Sequence, residues 1–211
     1  MTAIIDYGAG NIRSVQNALQ YLGAEAVLTS DPSVILSADH VILPGVGSFG
    51  DAMERLRSAD LTGVIRKVCA GGTPFLGICL GLQLLFEQSE ESPGVSGLGI
   101  LPGRIVRIPE ETDSGTRYKV PEIGWNSLTY PNHGRLFSGV PEGAYVYFVH
   151  SYYLQCADSS LVTARTKYST MIDASVEKGN VFACQFHPEK SERIGMQILR
   201  NFLSVRKVGV C

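Results

Sequence analysis

Two short stretches of this chain carry residue types that could do covalent chemistry. The first is Gly77-Ile78-Cys79-Leu80-Gly81, a cysteine with a glycine two residues to either side. A nucleophile on a sharp strand-to-helix turn needs small neighbours to relieve crowding. The helix that follows would present its positive end to the thiol and favour thiolate. The second is Gln185-Phe186-His187-Pro188-Glu189. If the chain stays extended past its strand, residues 187 and 189 point to one side, because side chains alternate with period two. Pro188 favours that extension for His187. Glu189 could then hold one imidazole nitrogen while the other faces a thiol. Each stretch has an ordinary reading on its own, a buried structural cysteine and a surface His-Pro-Glu turn. Together they point to a Cys79–His187–Glu189 triad.

A triad that attacks a carbonyl needs donors for the oxyanion. Pro44-Gly45-Val46-Gly47 follows a predicted strand and exposes backbone N–H groups there, and the N–H of Leu80 is the other natural donor. Gly45 and Gly47 also leave the Val46 peptide free to flip. The other histidines, His40, His133 and His150, lack such a setting, and His40 and His133 read as surface residues. Competing motifs fail. Gly8-Ala9-Gly10 is followed by Arg13 where a dinucleotide fingerprint needs a small residue. The H-x-E of zinc deaminases needs a P-C-x-x-C partner, which the chain lacks. No P-loop and no H-E-x-x-H is present, so neither a cofactor nor a metal is expected.

The elements that must position these groups follow from periodicity. Strands are predicted at residues 2–7, 26–28, 41–43 and 75–78. Helical patterns lie between them, with Ile12, Val15, Leu19 and Leu22 on one face of the first and a continuous run from Met53 to Val68 further on. Asp31-Pro32 opens a short helix and residues 80–86 form another. This alternation implies a parallel sheet covered on both faces. After the midpoint the pattern changes to strands at 100–108, 118–128, 145–149, 161–165, 171–176 and 181–186. Ser191 is expected to cap a last helix carrying Ile194, Ile198, Leu199 and Phe202.

Composition sets the outer bounds. The 211 residues are 45% hydrophobic, enough for a sizeable core, and carry a net charge of −2, which offers no electrostatic case for nucleic acid or an acidic membrane. Residues 68–86 carry no charge, but Gly71-Gly72-Thr73-Pro74 interrupts them, so they read as turn, strand and helix rather than a membrane span. Five cysteines without a C-x-x-C pair suit a reducing cytoplasm better than a disulfide framework.

The Cys79 and His187-Pro188-Glu189-Lys190-Ser191 motifs resemble those of class I glutamine amidotransferases. Four further segments narrow the resemblance: Asp6-Tyr7-Gly8-Ala9-Gly10-Asn11, Leu43-Pro44-Gly45-Val46-Gly47-Ser48-Phe49, Pro121-Glu122-Ile123-Gly124-Trp125-Asn126 and Tyr147-Phe148-Val149-His150-Ser151-Tyr152. They look like the branch whose glutaminase subunit serves histidine biosynthesis. The resemblance spans residue 4 to about 203. It implies an α/β, flavodoxin-like fold with a mostly parallel central sheet, helices on both faces and an added antiparallel sheet, all in one domain of residues 1–211. It implies hydrolysis of L-glutamine by Cys79, His187 and Glu189, with Gly45, Val46, Gly47 and Leu80 at the oxyanion. Gln83, Ser151 and Tyr152 would meet the amino-acid end of glutamine. Asn11, Lys119, Pro121, Trp125, Asn126 and Tyr147 would dock a (β/α)8-barrel cyclase in a cytoplasmic heterodimer. One departure stands out: the branch usually has His where this chain has Glu122. Amidotransferases serving anthranilate, pyridoxal phosphate or purine synthesis, and a stand-alone cysteine hydrolase, remain alternatives. The segments at 6–11 and 124–126 weigh against the first group.

Overall fold

The computed structural model describes residues 1–8 and 12–207. The first half alternates as its apolar periodicity predicts: β1 Thr2–Ile5, α1 Ile12–Tyr21, β2 Ala26–Thr29, α2 Pro32–Ser37, β3 His40–Gly45, α3 Phe49–Ser58, α4 Leu61–Ala70, β4 Phe75–Cys79 and α5 Leu80–Leu84. The second half runs β5 Gln88–Ser89, β6 Gly103–Arg107, β7 Glu122–Ser127, β8 Tyr145–His150, β9 Tyr152–Cys156, β10 Val162–Lys167, β11 Met171–Lys178, β12 Val181–Cys184 and α6 Glu192–Ser204. Among the described residues no helix is long and apolar enough to cross a membrane.

One ten-stranded sheet has the order β2-β1-β3-β4-β12-β11-β9-β6-β5, with β10 paired to β11. Strands β2, β1, β3, β4 and β12 run parallel to one another. The antiparallel strands β11, β9 and β6 continue the same sheet. Among the described residues only β7 and β8 form a separate two-stranded sheet. The expected antiparallel addition is therefore mostly an extension of the central sheet.

Both faces are covered, as an all-buried parallel strand requires. On one face Leu56, Leu61, Ile65 and Val68 of α3 and α4 pack on Ala3, Ile5, Leu43 and Phe75. On the other, Val15 and Leu19 of α1 and Ile198, Leu199 and Phe202 of α6 pack on Ile4, Ile42, Leu76 and Phe182. Each fully buried side chain of this size contributes roughly 1.5–3 kcal/mol.

Three local readings need correction. The run from Met53 to Val68 is two helices, because Asp60 adopts φ +54 and turns the chain between α3 and α4. The helix after Cys79 ends at Leu84. Ser191 precedes α6, but its hydroxyl makes no capping bond; it donates to the His187 carbonyl at 2.7 Å.

The elbow after β4 is the tightest part of the frame. A Cβ on Gly81 would lie 1.9 Å from the Leu43 carbonyl oxygen, and one on Gly77 would lie 2.6 Å from the Gly81 oxygen. Backbone packs on backbone there, so no side chain can yield. Gly81→Ala should therefore cost about 3 kcal/mol or more, lowering the melting temperature by roughly 10 °C. Gly63→Ala, inside α4 with open space around its Cβ site, should instead raise stability by up to ~1 kcal/mol. Thermal unfolding followed by circular dichroism reads both.

Candidate active site

The parallel strands β3, β4 and β12 end at one edge of the sheet, and the residues there come from those ends. Register places Gly45 beside Cys79 and Cys184 beside Ile78. Cys79 is the last residue of β4 and has φ +55 and ψ −110. A non-glycine residue in that region is strained, a recurrent feature of nucleophile elbows. Its sulfur is buried, 4.0 Å from the Val149 carbonyl and 3.7 Å from the Gln185 side-chain amide, which donates to it.

His187 lies three residues past β12. Its N–H donates to the Tyr147 carbonyl of β8 at 2.9 Å. Its Nδ1 and Glu189 Oε1 are 2.8 Å apart, and both side chains are almost wholly buried. The route to that contact differs from the expected one. Residues 188–190 form a 3-10 turn, so Glu189 reaches the ring by curling back, not by strand alternation. Nε2 is buried with no standard hydrogen bond, and Cys79 lies on that side. Burial alone would lower the His187 pKa. The neighbouring Cys79, and after it Glu189, overcome that effect and raise it to about 9.

A cavity of about 300 Å³ collects these groups. Of the residues expected at the site, Val46, Gly47, Cys79, Leu80, Gln83, Ser151, Tyr152 and His187 all line it. Gly45 sits behind them in β3, and Glu189 stands behind His187. Gly47 has φ +101, so the turn after β3 needs glycine. Gln83 is not a solvated helix residue: it is buried, and its amide donates to the Tyr152 carbonyl at 3.0 Å and to Gln185 Oε1 at 3.1 Å.

The partner candidates divide. Trp125 and Tyr147 are not core residues. They face each other edge-on at 6.1 Å on the outer side of the β7–β8 ribbon, beside exposed Ile123 and Tyr145. Lys119 and Pro121 are exposed, and Pro121 also lines the cavity. Asn126 is half-buried and its amide donates to Glu122. Asn11 lies outside the described residues.

Five contributors were not among the expected site residues. Glu91 lines the cavity and accepts the Phe49 N–H at 2.7 Å. Tyr7 donates to the Pro44 carbonyl at 3.1 Å and so braces the turn after β3. Gln185 donates to the Cys79 sulfur, and Glu122 and His150 form a buried pair beside the cavity. An alternating pattern on β8 could have pointed to His150, which faces inward with Val146 and Phe148. His40, expected at the surface, is half-buried and its Nε2 lies 2.8 Å from the Val205 carbonyl; His133 is exposed.

The other described cysteines lack these features. Burial pushes the Cys69 thiol up to about 12, and burial with the nearby Glu189 carboxylate pushes the Cys184 thiol well up. Cys69 lines a larger cavity, about 570 Å³, near the amino-terminal ends of β4 and β12. That cavity holds no nucleophile–base pair. No group of side chains able to hold a metal ion occurs among the described residues.

Residues 3–205 match the family model for glutamine amidotransferase class-I. The chain is 54% identical over 205 residues to imidazole glycerol phosphate synthase subunit HisH of Bacillus cereus (strain G9842), covering 97% of this chain and 95% of that one. It is 47% identical over 209 residues to the subunit of the same name from Methanothermobacter thermautotrophicus, covering 97% and 98%. Among solved structures it is similar to a glutamine amidotransferase (TM-score 0.72, 21% identity, 95% and 96% covered) and to PurLQS from Thermotoga maritima (TM-score 0.71, 24%, 96% and 96%). The flavodoxin-like arrangement of the sheet and helices is that of these structures.

The raised His187 pKa carries a sign for stability. The proton is bound more tightly in the folded chain, so its contribution is complete below about 6.5 and is lost as pH rises through about 9. A difference of this size corresponds to roughly 3 kcal/mol. In an NMR titration the His187 ring should have its midpoint near 9. Cys79→Ala should lower that midpoint more than Glu189→Gln does. A wild-type midpoint at the ordinary histidine value would contradict the geometry.

Proposed function

The chain belongs to the class-I glutamine amidotransferase family, and on that premise we propose that it is the glutaminase subunit of an imidazole glycerol phosphate synthase, one domain working in the cytoplasm. The observation that carries the reading is the meeting of Cys79, His187 and the turn after β3 at one cavity, with relatives of that name at about half identity over nearly the whole chain.

L-glutamine enters with its side-chain amide toward Cys79. Glu91 supplies the one carboxylate among the residues lining the cavity and pairs with the α-ammonium, while Gln83, Ser151 and Tyr152 hold the amino-acid end. Cys79 sulfur attacks the amide carbon, its proton resting on His187. The oxyanion is held by backbone N–H groups at Val46, Gly47 and Leu80. The tetrahedral adduct collapses, the C–N bond breaks, and His187 gives its proton to the departing ammonia. The raised His187 pKa suits that step, since the imidazolium is populated at neutral pH. Water then attacks the γ-glutamyl thioester, losing a proton to His187, and glutamate leaves as the C–S bond breaks. Glu189, bonded to Nδ1, keeps the ring turned toward sulfur throughout.

The ammonia passes to a (β/α)8-barrel cyclase bound as a heterodimer. There it is joined to a phosphoribulosyl aminoimidazole carboxamide ribonucleotide, giving imidazole glycerol phosphate and an aminoimidazole carboxamide ribonucleotide. The exposed apolar side of β7–β8, with Trp125 and Tyr147 and the neighbouring Lys119, Pro121 and Asn126, supports a docking face there. Asn11 belongs to the same proposal on its sequence motif alone. Exposed aromatic patches of this kind commonly mark protein interfaces.

Glutamate and ammonia release from glutamine, measured with and without the cyclase and its ribonucleotide, tests the reading. The complex should exceed the isolated chain by about a hundredfold, as expected if the Val46 peptide is competent about 1% of the time without the partner. Cys79→Ala should lower turnover of the complex by roughly four orders of magnitude or more. Equal turnover with and without the cyclase would favour a stand-alone hydrolase, and full activity of Cys79→Ala would remove the triad.

A further inference from the structure

The position at which this chain departs from the pattern it resembles, Glu122, is neither solvent-exposed nor part of the docking patch. It is 3% exposed, on the inner face of β7, directly across the ribbon from His150. Glu122 Oε2 lies 3.1 Å from His150 Nε2, and Oε1 accepts the Asn126 amide at 2.8 Å. His150 Nδ1 lies 2.8 Å from the Tyr152 carbonyl oxygen. That oxygen is only an acceptor, so Nδ1 carries a proton and donates. The contact at Nε2 then needs a second proton, held between the ring and the carboxylate. The pair is thus closed only as imidazolium with carboxylate or imidazole with carboxylic acid, and either form satisfies both buried groups.

The contacts continue into the cavity. The Tyr152 carbonyl also accepts from Gln83 Nε2, Gln83 donates to Gln185 Oε1, and Gln185 donates to Cys79 sulfur. We infer that Glu122 is a positioning residue for glutamine: through His150 it fixes the Tyr152 carbonyl and, through that carbonyl, the Gln83 amide that meets the substrate's amino-acid end. Glu122 itself touches no substrate. The inference rests on the glutaminase reading above.

A hydrogen-bond role makes a demand that simple space-filling does not. In Glu122→Gln the amide oxygen still accepts from Asn126 and the NH2 group donates to a neutral His150, so the chain of contacts closes without the extra proton. In Glu122→Met the volume is kept and both bonds are lost. Glutamine turnover is measured in the complex with the cyclase, with the Cys79 dependence of the wild type as control. Glu122→Met should raise KM for glutamine by about tenfold, near the low end of what one unmade buried bond costs, with kcat changed less than about twofold. Alkylation of Cys79 by iodoacetamide, which does not use the amino-acid subsite, should keep its wild-type rate, and Glu122→Gln should keep the wild-type KM. Should Glu122→Met fail to fold, Glu122→Asp, whose carboxylate stops one methylene short of His150, must show the KM rise instead. A wild-type KM in Glu122→Met, or in Glu122→Asp where that serves, overturns the inference. So does a Glu122→Gln defect as large as that of Glu122→Met. An inactive wild-type complex would instead overturn the glutaminase reading itself.

Discussion

The site depends on one backbone constraint, the positive-φ conformation of Cys79 at φ +55. Such a residue costs on the order of 1–3 kcal/mol and persists only where its surroundings over-determine it. Here they do. Residues 75–79 are hydrogen-bonded to β3 along one edge and, through Ile78, to β12 along the other, and every residue of β4 is buried. The following turn is pressed so closely on β3 that Gly81 has no room for a methyl group. The strain is distributed into a rigid sheet, and the sulfur is left facing the cavity instead of the core.

The same sheet explains why His187 can hold a proton although it is 2% exposed. Burial by itself disfavours imidazolium, yet the ring lies between Cys79 and the Glu189 carboxylate. In a setting with little water, attraction to both outweighs lost hydration. The 3-10 turn at 188–190 is what brings Glu189 back to Nδ1. Ser191 supports that turn from below: its hydroxyl donates to the His187 carbonyl and accepts the Tyr147 N–H. A residue type usually expected to cap a helix has been diverted to hold the main chain of His187.

Much of this was legible in the residues alone. The parallel half of the sheet announced itself through uncharged apolar runs separated by helical periods, because a strand buried on both faces has no polar positions to confuse the pattern. The proposed nucleophile, base and orienter were legible as candidates because each lies in a short motif. What was hidden has a common physical cause. Glu91, Gln185 and Tyr7 reach the site across 42, 106 and 37 residues of sequence in their contacts with Phe49, Cys79 and Pro44, and no local spacing encodes a long-range hydrogen bond. The break at Asp60 was hidden because the apolar period resumes in phase after one left-handed residue. The short strand β5 and the strand β9 were missed for a related reason, since their partners β6 and β11 lie elsewhere in the chain.

The β7–β8 ribbon shows how a small element can serve two surfaces at once. Register sets Trp125 against Tyr147 and Glu122 against His150. Alternation then sends Tyr145, Tyr147 and Val149 outward while Val146, Phe148 and His150 face the core. The outward side is an aromatic patch, and the inward side ends in the buried Glu122–His150 pair beside the cavity. Tyr147 belongs to both in one residue, its ring outside and its carbonyl on the His187 N–H. A protein resting on the outer face would therefore rest on the strand that holds the His187 main chain.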